Sequence, residues 1–197
     1  MEPHRPPRSR NRDARPLDAA WLEGEAVNAL ARSDQSRRKL VETVRRKLSA
    51  RCERTGEDGG TLSDRIPEIV ERLAERGYVD DGRLAAHLFE KGRGTGRSRA
   101  WIENQLRAKG IDEETLRDVQ RSRSLEATGD ATDEGGGHAH TDEVEAAFRI
   151  ARKKRLGPYC PDPDQRIAER QRHLGFLARR GFSSDIAHHV IDAELTP

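Results

Sequence analysis

Three groups of residues in this chain have types and spacings that could support chemistry. Gly92-Arg-Gly-Thr-Gly96 has the glycine content of a phosphate-binding loop, but it follows a predicted helix and lacks the Gly-Lys-Ser/Thr ending that holds phosphate and metal. His138 and His140 could ligate one metal ion, yet they lie in a glycine-rich segment far from both cysteines. Asp80 and Asp81 are adjacent carboxylates, which helix capping explains more simply than acid catalysis. We therefore predict no catalytic residue, no metal site and no cofactor.

Basic residues at the ends of predicted helices are the remaining candidates. They would form a stripe for an anionic polymer or an acidic protein groove if equivalent helices stack in register. A solvated surface explains them equally well, because acidic residues are almost as numerous. Lys91–Arg97, between two helices, is predicted to be a flexible basic loop. The candidate binding residues are Arg45, Arg46, Lys47, Arg97, Arg99, Arg107, Lys109, Arg152, Lys153, Lys154, Arg155, Arg179 and Arg180.

The elements that must position these side chains are short helices, because one helix-ending phrase occurs three times. In each copy a leucine is followed four residues later by glycine and then by an apolar residue. Glycine adopts the left-handed conformation that ends a helix without strain, and the apolar residue can fold back onto the leucine. The copies are Leu73 with Gly77 and Tyr78, Leu106 with Gly110 and Ile111, and Leu177 with Gly181 and Phe182. The residues placed to cap the helices that follow are Asp80, Asp112 and Ser183.

The spacing of these glycines indicates a repeat. Gly77 and Gly110 lie 33 residues apart, and Gly181 lies 71 residues further on, close to twice that period. Residues 36–47 also align with residues 98–109 without a gap, and both segments begin Ser-Arg and end in Lys. Such periods are typical of stacked helical units. An ordinary helix bundle with similar helix ends is the alternative.

Composition favours a thin helical array over a molecule with one deep core. Charged residues make up 37% of the chain, apolar residues 33% and aromatic residues 4%. No segment alternates as a strand would, so we predict an all-α protein. Neither a signal peptide nor a transmembrane span is recognisable, which predicts a cytoplasmic protein. A disulfide between Cys52 and Cys160 is not expected there.

Charge and composition distinguish two segments from the helical repeats. Residues 1–16 carry five arginines, four prolines and two acidic residues, a net charge of +3, and are predicted to be a disordered tail. Residues 120–141 contain three consecutive glycines and are predicted to be a flexible acidic linker. The predicted three-helix repeats are residues 17–78, 79–119 and 142–197.

Gly77-Tyr-Val-Asp80-Asp81-Gly-Arg-Leu-Ala85 resembles the signature of the RecX family, in which Gly-Tyr/Leu-Leu-Asp-Asp is followed by Arg-Phe-Ala. Lys109-Gly-Ile-Asp112 and Leu177-Ala-Arg-Arg-Gly-Phe-Ser183 are similar to two further stretches of that family, in the same order. The resemblance covers about residues 20–195. It departs from the family pattern at Leu84, in the longer linker and in the arginine-rich tail. It implies three tandem three-helix repeats in an elongated, curved array.

The resemblance also implies a function. RecX proteins bind the RecA recombinase and its filament on single-stranded DNA, and they restrain ATP hydrolysis and strand exchange. We therefore expect a monomeric regulator that is not an enzyme and not a membrane protein, with direct DNA contact left open. The alternative is a helical DNA-binding module of the helix-turn-helix kind that acts without RecA. Lys109-Gly-Ile-Asp112 would supply its tight corner, and the basic tail would add phosphate contacts.

Overall fold

A computed structural model of the protein describes residues 15–128 and 135–194, except for the side chains of residues 123–128 and 135–139. The described residues form eleven α-helices and one 3-10 turn, without any strand, which confirms the predicted all-α class. Within the same residues, no helix is both long and apolar enough to cross a lipid bilayer. Residues 1–14 of the predicted tail lie outside the described part of the chain.

The chain divides into two compact units. Unit 1 comprises Met1–Leu84 and Lys109–Ile111, whereas unit 2 comprises Ala85–Ala108 and Asp112–Pro197. The first helices are α1 (Ala19–Leu30), α2 (Arg37–Thr55), α3 (Gly60–Asp64) and α4 (Ile66–Glu75). They are followed by α5 (Asp81–Gly94), α6 (Arg99–Ala108), α7 (Glu113–Thr128) and α8 (Gly135–Lys154). After the 3-10 turn Gly157–Tyr159 come α9 (Pro163–Ala168), α10 (Arg170–Ala178) and α11 (Ser184–Ile191).

Two segments contain more helix than expected. The prediction of a loop over Lys91–Arg97 is wrong for residues 91–94, which belong to α5. Gly92 serves close packing there, because a Cβ at this position would lie 2.5 Å from Cγ1 of Ile102. Helices also extend into the segment 120–141 from both sides, since α7 ends at Thr128 and α8 begins at Gly135. Residues 120–128 contain neither glycine nor proline to stop α7 earlier.

Each unit has its own apolar core. In unit 1 the apolar face of α4 packs against α1 and α2. The core of this unit includes Leu22, Leu40, Val44, Ile66, Ile69, Val70 and Leu73. In unit 2 the second core lies among α8, α10 and α11 and includes Ala147, Ile150, Ala151, Leu177, Phe182, Ile186, Val190 and Ile191. Burial of one such large side chain contributes about 1.5–3 kcal/mol, so these faces hold the helices of each unit together.

The three predicted glycine corners have the expected backbone. The dihedral angle φ is +76° at Gly77, +83° at Gly110 and +92° at Gly181. At the first and third corners, the residue after glycine donates its backbone N–H to the leucine carbonyl five residues earlier, at 2.9 Å and 3.3 Å. Ile111 and Phe182 are buried as the pattern requires, whereas Tyr78 is 57% exposed.

The predicted N-caps of the helices that follow these corners are also confirmed. Asp80 Oδ1 accepts the backbone N–H of Arg83 at 2.8 Å, and Asp112 Oδ1 accepts that of Thr115 at 2.7 Å. Ser183 Oγ accepts a backbone N–H at the start of α11, at 3.3 Å. Each cap satisfies a donor that the first turn of a helix would otherwise leave free.

A contact that we call the α2 joint connects the start of α2 with residues much later in the chain. Ser36, which is 0% exposed, donates from Oγ to the carbonyl of Lys109 at 2.6 Å. The backbone N–H of Arg37 donates to the carboxylate of Asp81 at 3.0 Å. A Cβ on Gly110 would lie 3.0 Å from Ser36 Oγ, so a glycine corner fits closely against this helix start. All five residues of the α2 joint belong to unit 1.

The same arrangement recurs in unit 2 as the α6 joint. The backbone N–H of Ser98, which is 0% exposed, donates to the carbonyl of Arg180 at 3.0 Å. The backbone N–H of Arg99 donates to the carboxylate of Glu143 at 3.0 and 3.1 Å. A Cβ on Gly181 would lie only 2.5 Å from Ser98 Oγ. The alignment of residues 36–47 with 98–109 therefore has a structural counterpart: both segments begin with the serine and arginine of a joint.

We expect Gly181→Ala to destabilise the protein more than Gly77→Ala. Both substitutions place a Cβ in the left-handed conformation, which costs about 1–2 kcal/mol. At position 181 the Cβ would also lie 2.6 Å from Cβ of Trp101, whereas at position 77 it would meet no atom within 4 Å. The overlap should add about 1–3 kcal/mol. Urea unfolding followed by circular dichroism measures both free energies of unfolding. Equal losses would contradict a tightly packed α6 joint.

Candidate functional site

The candidate site is a cavity of about 230 Å³ on unit 2. Of the residues that the structure describes, four basic ones and no acidic one line it, with small or apolar residues between them. We call it the basic cavity and define it by the side chains of Arg93, Arg97, Arg149 and Lys153.

The end of α5 brings these side chains together. Gly96 has a φ of +70°, and its N–H donates to the Arg93 carbonyl at 2.9 Å, while the next N–H donates to the Gly92 carbonyl at 3.0 Å. A Cβ on Gly96 would lie 2.8 Å from Cδ1 of Ile150, so the corner packs directly against α8. These amides are used inside the corner, and the glycine-rich segment therefore does not present them to a phosphate as a phosphate loop would.

Arg97 is held in place without a carboxylate partner in the described part of the chain. Its guanidinium lies over the ring of Trp101, with 4.3 Å from Cζ to the ring centroid. It also donates to the backbone carbonyl of Arg179 at 2.9 Å. The aromatic ring and the carbonyl fix the orientation of the side chain but leave its full positive charge in place.

Arg180 is fixed in a similar way on the other side of the corner. Its guanidinium lies 4.6 Å from the ring centroid of Phe176 and donates to the carbonyl of Gly96 at 3.3 Å and to that of Thr95. Partial burial, and second the positive charge of Arg97, lower the pKa of Arg180. Positive charge is thus concentrated here without compensation.

The other basic candidates fall into two groups. Three of them form salt bridges: Lys47 with Glu25 at 2.7 Å, Arg99 with Glu103 at 2.8 Å, and Arg107 with Glu113 at 2.6 Å. The Lys47 bridge is largely buried in unit 1 and has a structural role. Among the described residues, the second group is exposed and forms no salt bridge: Arg45, Arg46, Lys109, Arg152, Lys153, Lys154, Arg155 and Arg179. Their role in binding stays a prediction.

Sequence reasoning missed Arg93 and Arg149 as candidates. Like Arg97 and Lys153, they form no salt bridge within the described part of the chain. The available signal was spacing, because Arg93 and Arg97 are four residues apart, as are Arg149 and Lys153 on α8. Arg149 and Lys153 therefore lie on one face of α8. Arg97 lies beyond the end of α5 at Gly94, so its approach to Arg93 depends on the corner at Gly96. The contact between α5 and α8, which joins the two pairs, could not be read from that spacing.

A second cavity of unit 2, about 470 Å³ in volume, has a different character. Three arginines and three glutamates line it together with neutral residues, so its charges compensate one another. Burial raises the pKa of one of these acids, Glu143, although the N–H of Arg99 donates to it. Among the described residues, no group of three or more His, Cys, Asp or Glu side chains is placed to hold a metal ion.

Arg155 is the one described non-glycine residue with positive φ, at +55°. It ends α8 with the same hydrogen bonds as the glycine corners: the Leu156 N–H donates to the Ala151 carbonyl at 2.9 Å, and the Arg155 N–H donates to the Arg152 carbonyl at 3.2 Å. An L-residue in this conformation is strained by about 1–2 kcal/mol. The exposed basic end of α8 therefore contains an arginine where glycine would be more stable.

Known proteins resemble this chain over most of its length. The family model for the third three-helix domain of RecX matches residues 141–191. A regulatory protein RecX from Myxococcus xanthus is 31% identical over 179 residues, covering 91% of this chain and 88% of that protein. The chain belongs to the RecX family. This confirms the resemblance carried by the Gly77–Ala85 segment.

Further RecX proteins agree in extent and fold. The regulatory protein RecX of Mycolicibacterium vanbaalenii is 28% identical over 186 residues, covering 91% of this chain and 93% of the relative. The crystal structure of RecX from Lactobacillus salivarius matches with a TM-score of 0.53 and 21% identity, covering 87% of this chain and 93% of that one. This likeness concerns the fold, and it confirms the architecture of three-helix repeats.

We expect Arg155→Gly to raise the free energy of unfolding by about 0.5–1 kcal/mol. Glycine removes the left-handed strain of the Cβ, although it also makes the unfolded chain more flexible. Arg152→Gly is the matched control, because it places glycine inside α8 and should lower stability by about 1 kcal/mol. Thermal unfolding of both variants measures the difference. A loss of stability in both would contradict a strained corner at Arg155.

The stability of this RecX-family chain should also depend on pH through Glu143. Because burial raises its pKa above the ordinary 4.5, the folded state binds more protons, and stability falls as the pH rises through that range. Glu143→Gln should therefore gain stability relative to the unsubstituted chain as the pH rises above the ordinary carboxyl pKa of 4.5.

Glu113→Gln is the control with the opposite sign. The hydrogen bond from Arg107 lowers the pKa of Glu113, so the unsubstituted chain should gain stability relative to this variant as the pH rises. Urea unfolding at several pH values measures both trends. Parallel trends for the two variants would contradict the assignment of the buried charge to Glu143.

Proposed function

We propose that this chain is a cytoplasmic, non-enzymatic regulator that binds the RecA recombinase and its filament on single-stranded DNA. It restrains ATP hydrolysis and strand exchange while bound. Membership of the RecX family supports the choice of partner, because the resemblance implies RecA. The observation that carries the binding step is the concentration of basic side chains without carboxylate partners on unit 2.

The exposed end of α8 is suited to an anionic surface. Arg152, Lys153 and Lys154 occupy its last turn, and none of them forms a salt bridge with a described residue. Three adjacent uncompensated charges attract phosphates or a surface of carboxylates, and the attraction weakens with salt. A nucleoprotein filament offers both kinds of negative charge.

Regulation requires no chemical step by the chain itself. A protein that binds only one state of the filament multiplies the population of that state by one plus the ratio of its free concentration to its dissociation constant. If the bound state hydrolyses ATP slowly, binding alone reduces turnover. The proposed activity therefore follows from a surface and needs no catalytic residue.

The Lys109–Asp112 corner has a structural explanation that does not involve DNA. In the α2 joint the carbonyl of Lys109 accepts the Ser36 hydroxyl, and a Cβ on Gly110 would lie 3.0 Å from the same hydroxyl oxygen. The corner residues Lys109 and Gly110 are therefore explained by packing against the start of α2 within unit 1, and we do not propose a helix-turn-helix function for them.

Titration of the chain into RecA with single-stranded DNA tests the proposal by ATP hydrolysis. We expect inhibition well below one chain per RecA subunit. The combined substitution Arg152→Glu, Lys153→Glu and Lys154→Glu should raise the half-inhibiting concentration about tenfold or more, equivalent to about 1.4 kcal/mol, and should weaken the salt dependence.

The matched control is Arg72→Glu, Arg121→Glu and Arg172→Glu. It changes the net charge equally at arginines that already pair with nearby acids; Arg121 and Arg172 are exposed and Arg72 is half-buried. This control should inhibit nearly as well as the unsubstituted chain. Absence of inhibition by the folded, unsubstituted chain at equal stoichiometry would contradict the proposed function. Equal inhibition by both variants would remove the end of α8 from the interface.

A further inference from the structure

Two pairs of basic side chains converge on the basic cavity from different helices. Arg93 and Arg97 come from the end of α5 and its corner, whereas Arg149 and Lys153 come from successive turns of α8. A ligand in the cavity could therefore be contacted from two sides. Within the described residues, no carboxylate forms a salt bridge with any of the four, so the charge that would balance them must come from a ligand or from solvent ions.

The size and donors of the cavity suit one phosphate group. Its volume of about 230 Å³ is below the roughly 300–1,000 Å³ typical of sites for drug-sized molecules. Three of the four basic side chains are arginines, whose planar forked donors match the oxygens of phosphate. Gly94, Gly96 and Ala146 also line the cavity, and their small size leaves room for close approach.

Aromatic rings beside the cavity favour a nucleic acid over a free anion. Arg97 lies over Trp101, and Arg180, whose side chain reaches Gly96 beside the cavity, lies over Phe176. Basic side chains combined with aromatic rings are typical of sites for single strands, where the backbone meets positive charge and bases stack on rings or guanidinium planes. A duplex keeps its bases stacked on one another and gains less from such rings.

We propose that the basic cavity binds a backbone phosphate of a single-stranded nucleic acid, so that the chain contacts the strand directly. The proposal deepens the proposed function by naming a second component of the filament as a ligand. It assigns the phosphate to Arg93, Arg97, Arg149 and Lys153, and it places the adjacent nucleotide beside Trp101.

Binding of a fluorescent oligothymidylate to the full chain, without RecA, tests this assignment. Arg149→Gln with Lys153→Gln removes two charges at exposed positions of α8, so the fold should be retained. We expect the affinity to fall about tenfold and the slope of log affinity against log salt to decrease by about 1–2. Arg121→Gln with Arg172→Gln is the matched control, because it removes two exposed charges that already have acidic partners. It should change the affinity less than about twofold.

Three results would overturn the proposal. One is equal binding of the oligonucleotide by the two double variants. Another is competition by a duplex of the same length that is at least as strong as competition by the single strand. The third concerns a chain that binds no oligonucleotide but is stabilised by inorganic phosphate. If only the Arg149→Gln, Lys153→Gln variant loses that stabilisation, the cavity holds a free anion and not a nucleic acid.

The assay also separates this proposal from the proposed function. Because RecA is absent, failure to bind the oligonucleotide leaves the inhibition of RecA by the unsubstituted chain as an independent result. Oligonucleotide binding that depends on Arg149 and Lys153, together with no effect on ATP hydrolysis by RecA, would support the phosphate site and contradict the RecA partnership.

Discussion

The contact between the start of one helix and the glycine corner that ends another is the interaction on which the rest of this structure depends. Helix starts present free N–H groups and a partial positive charge, whereas helix ends present carbonyls and a partial negative charge. In both joints a buried serine donates a hydrogen bond to a backbone carbonyl of the corner, and the backbone N–H of the following arginine donates to a carboxylate. A side chain on Gly181 would collide with Ser98 and Trp101, so the residue type at the corner decides whether the α6 joint can close.

The α6 joint and the basic cavity are built from the same few residues. Arg97 directly precedes Ser98 of the joint, and Arg180 accepts the Ser98 N–H with its carbonyl while its side chain reaches Gly96. The backbone therefore makes the structural contact, while the side chains carry the charge. Each hydrogen bond of the joint contributes only about 0.5–3 kcal/mol, which is no more than the burial of one large apolar side chain. The joint sets the register of the helices, and their apolar faces supply most of the stability.

Local features could be predicted from the sequence because a few adjacent residues determine them. The corner at Gly77 and the caps at Asp80 and Ser183 each involve no more than six consecutive residues. The basic cavity could not be predicted, because it depends on α5 meeting α8 through Gly96, a contact between residues distant in the chain. The glycines of the Lys91–Arg97 segment do not specify a loop for a related reason: glycine permits flexibility, but it equally permits two helices to approach closely, as at Gly92 and Gly96.

The partner that holds an arginine decides whether its charge remains available to a ligand. Glu103 and Glu113 hold Arg99 and Arg107, and each salt bridge cancels most of the field that these side chains would project. A ring and a carbonyl hold Arg97, which restricts the guanidinium equally well but adds no negative charge. An arginine held by a ring and a carbonyl is ordered before a ligand arrives. An anion that binds it therefore gains the full electrostatic attraction of the guanidinium at a small cost in side-chain entropy. The count of basic residues is thus a poor guide to where this chain binds, and the identity of the groups that hold each arginine is a better one.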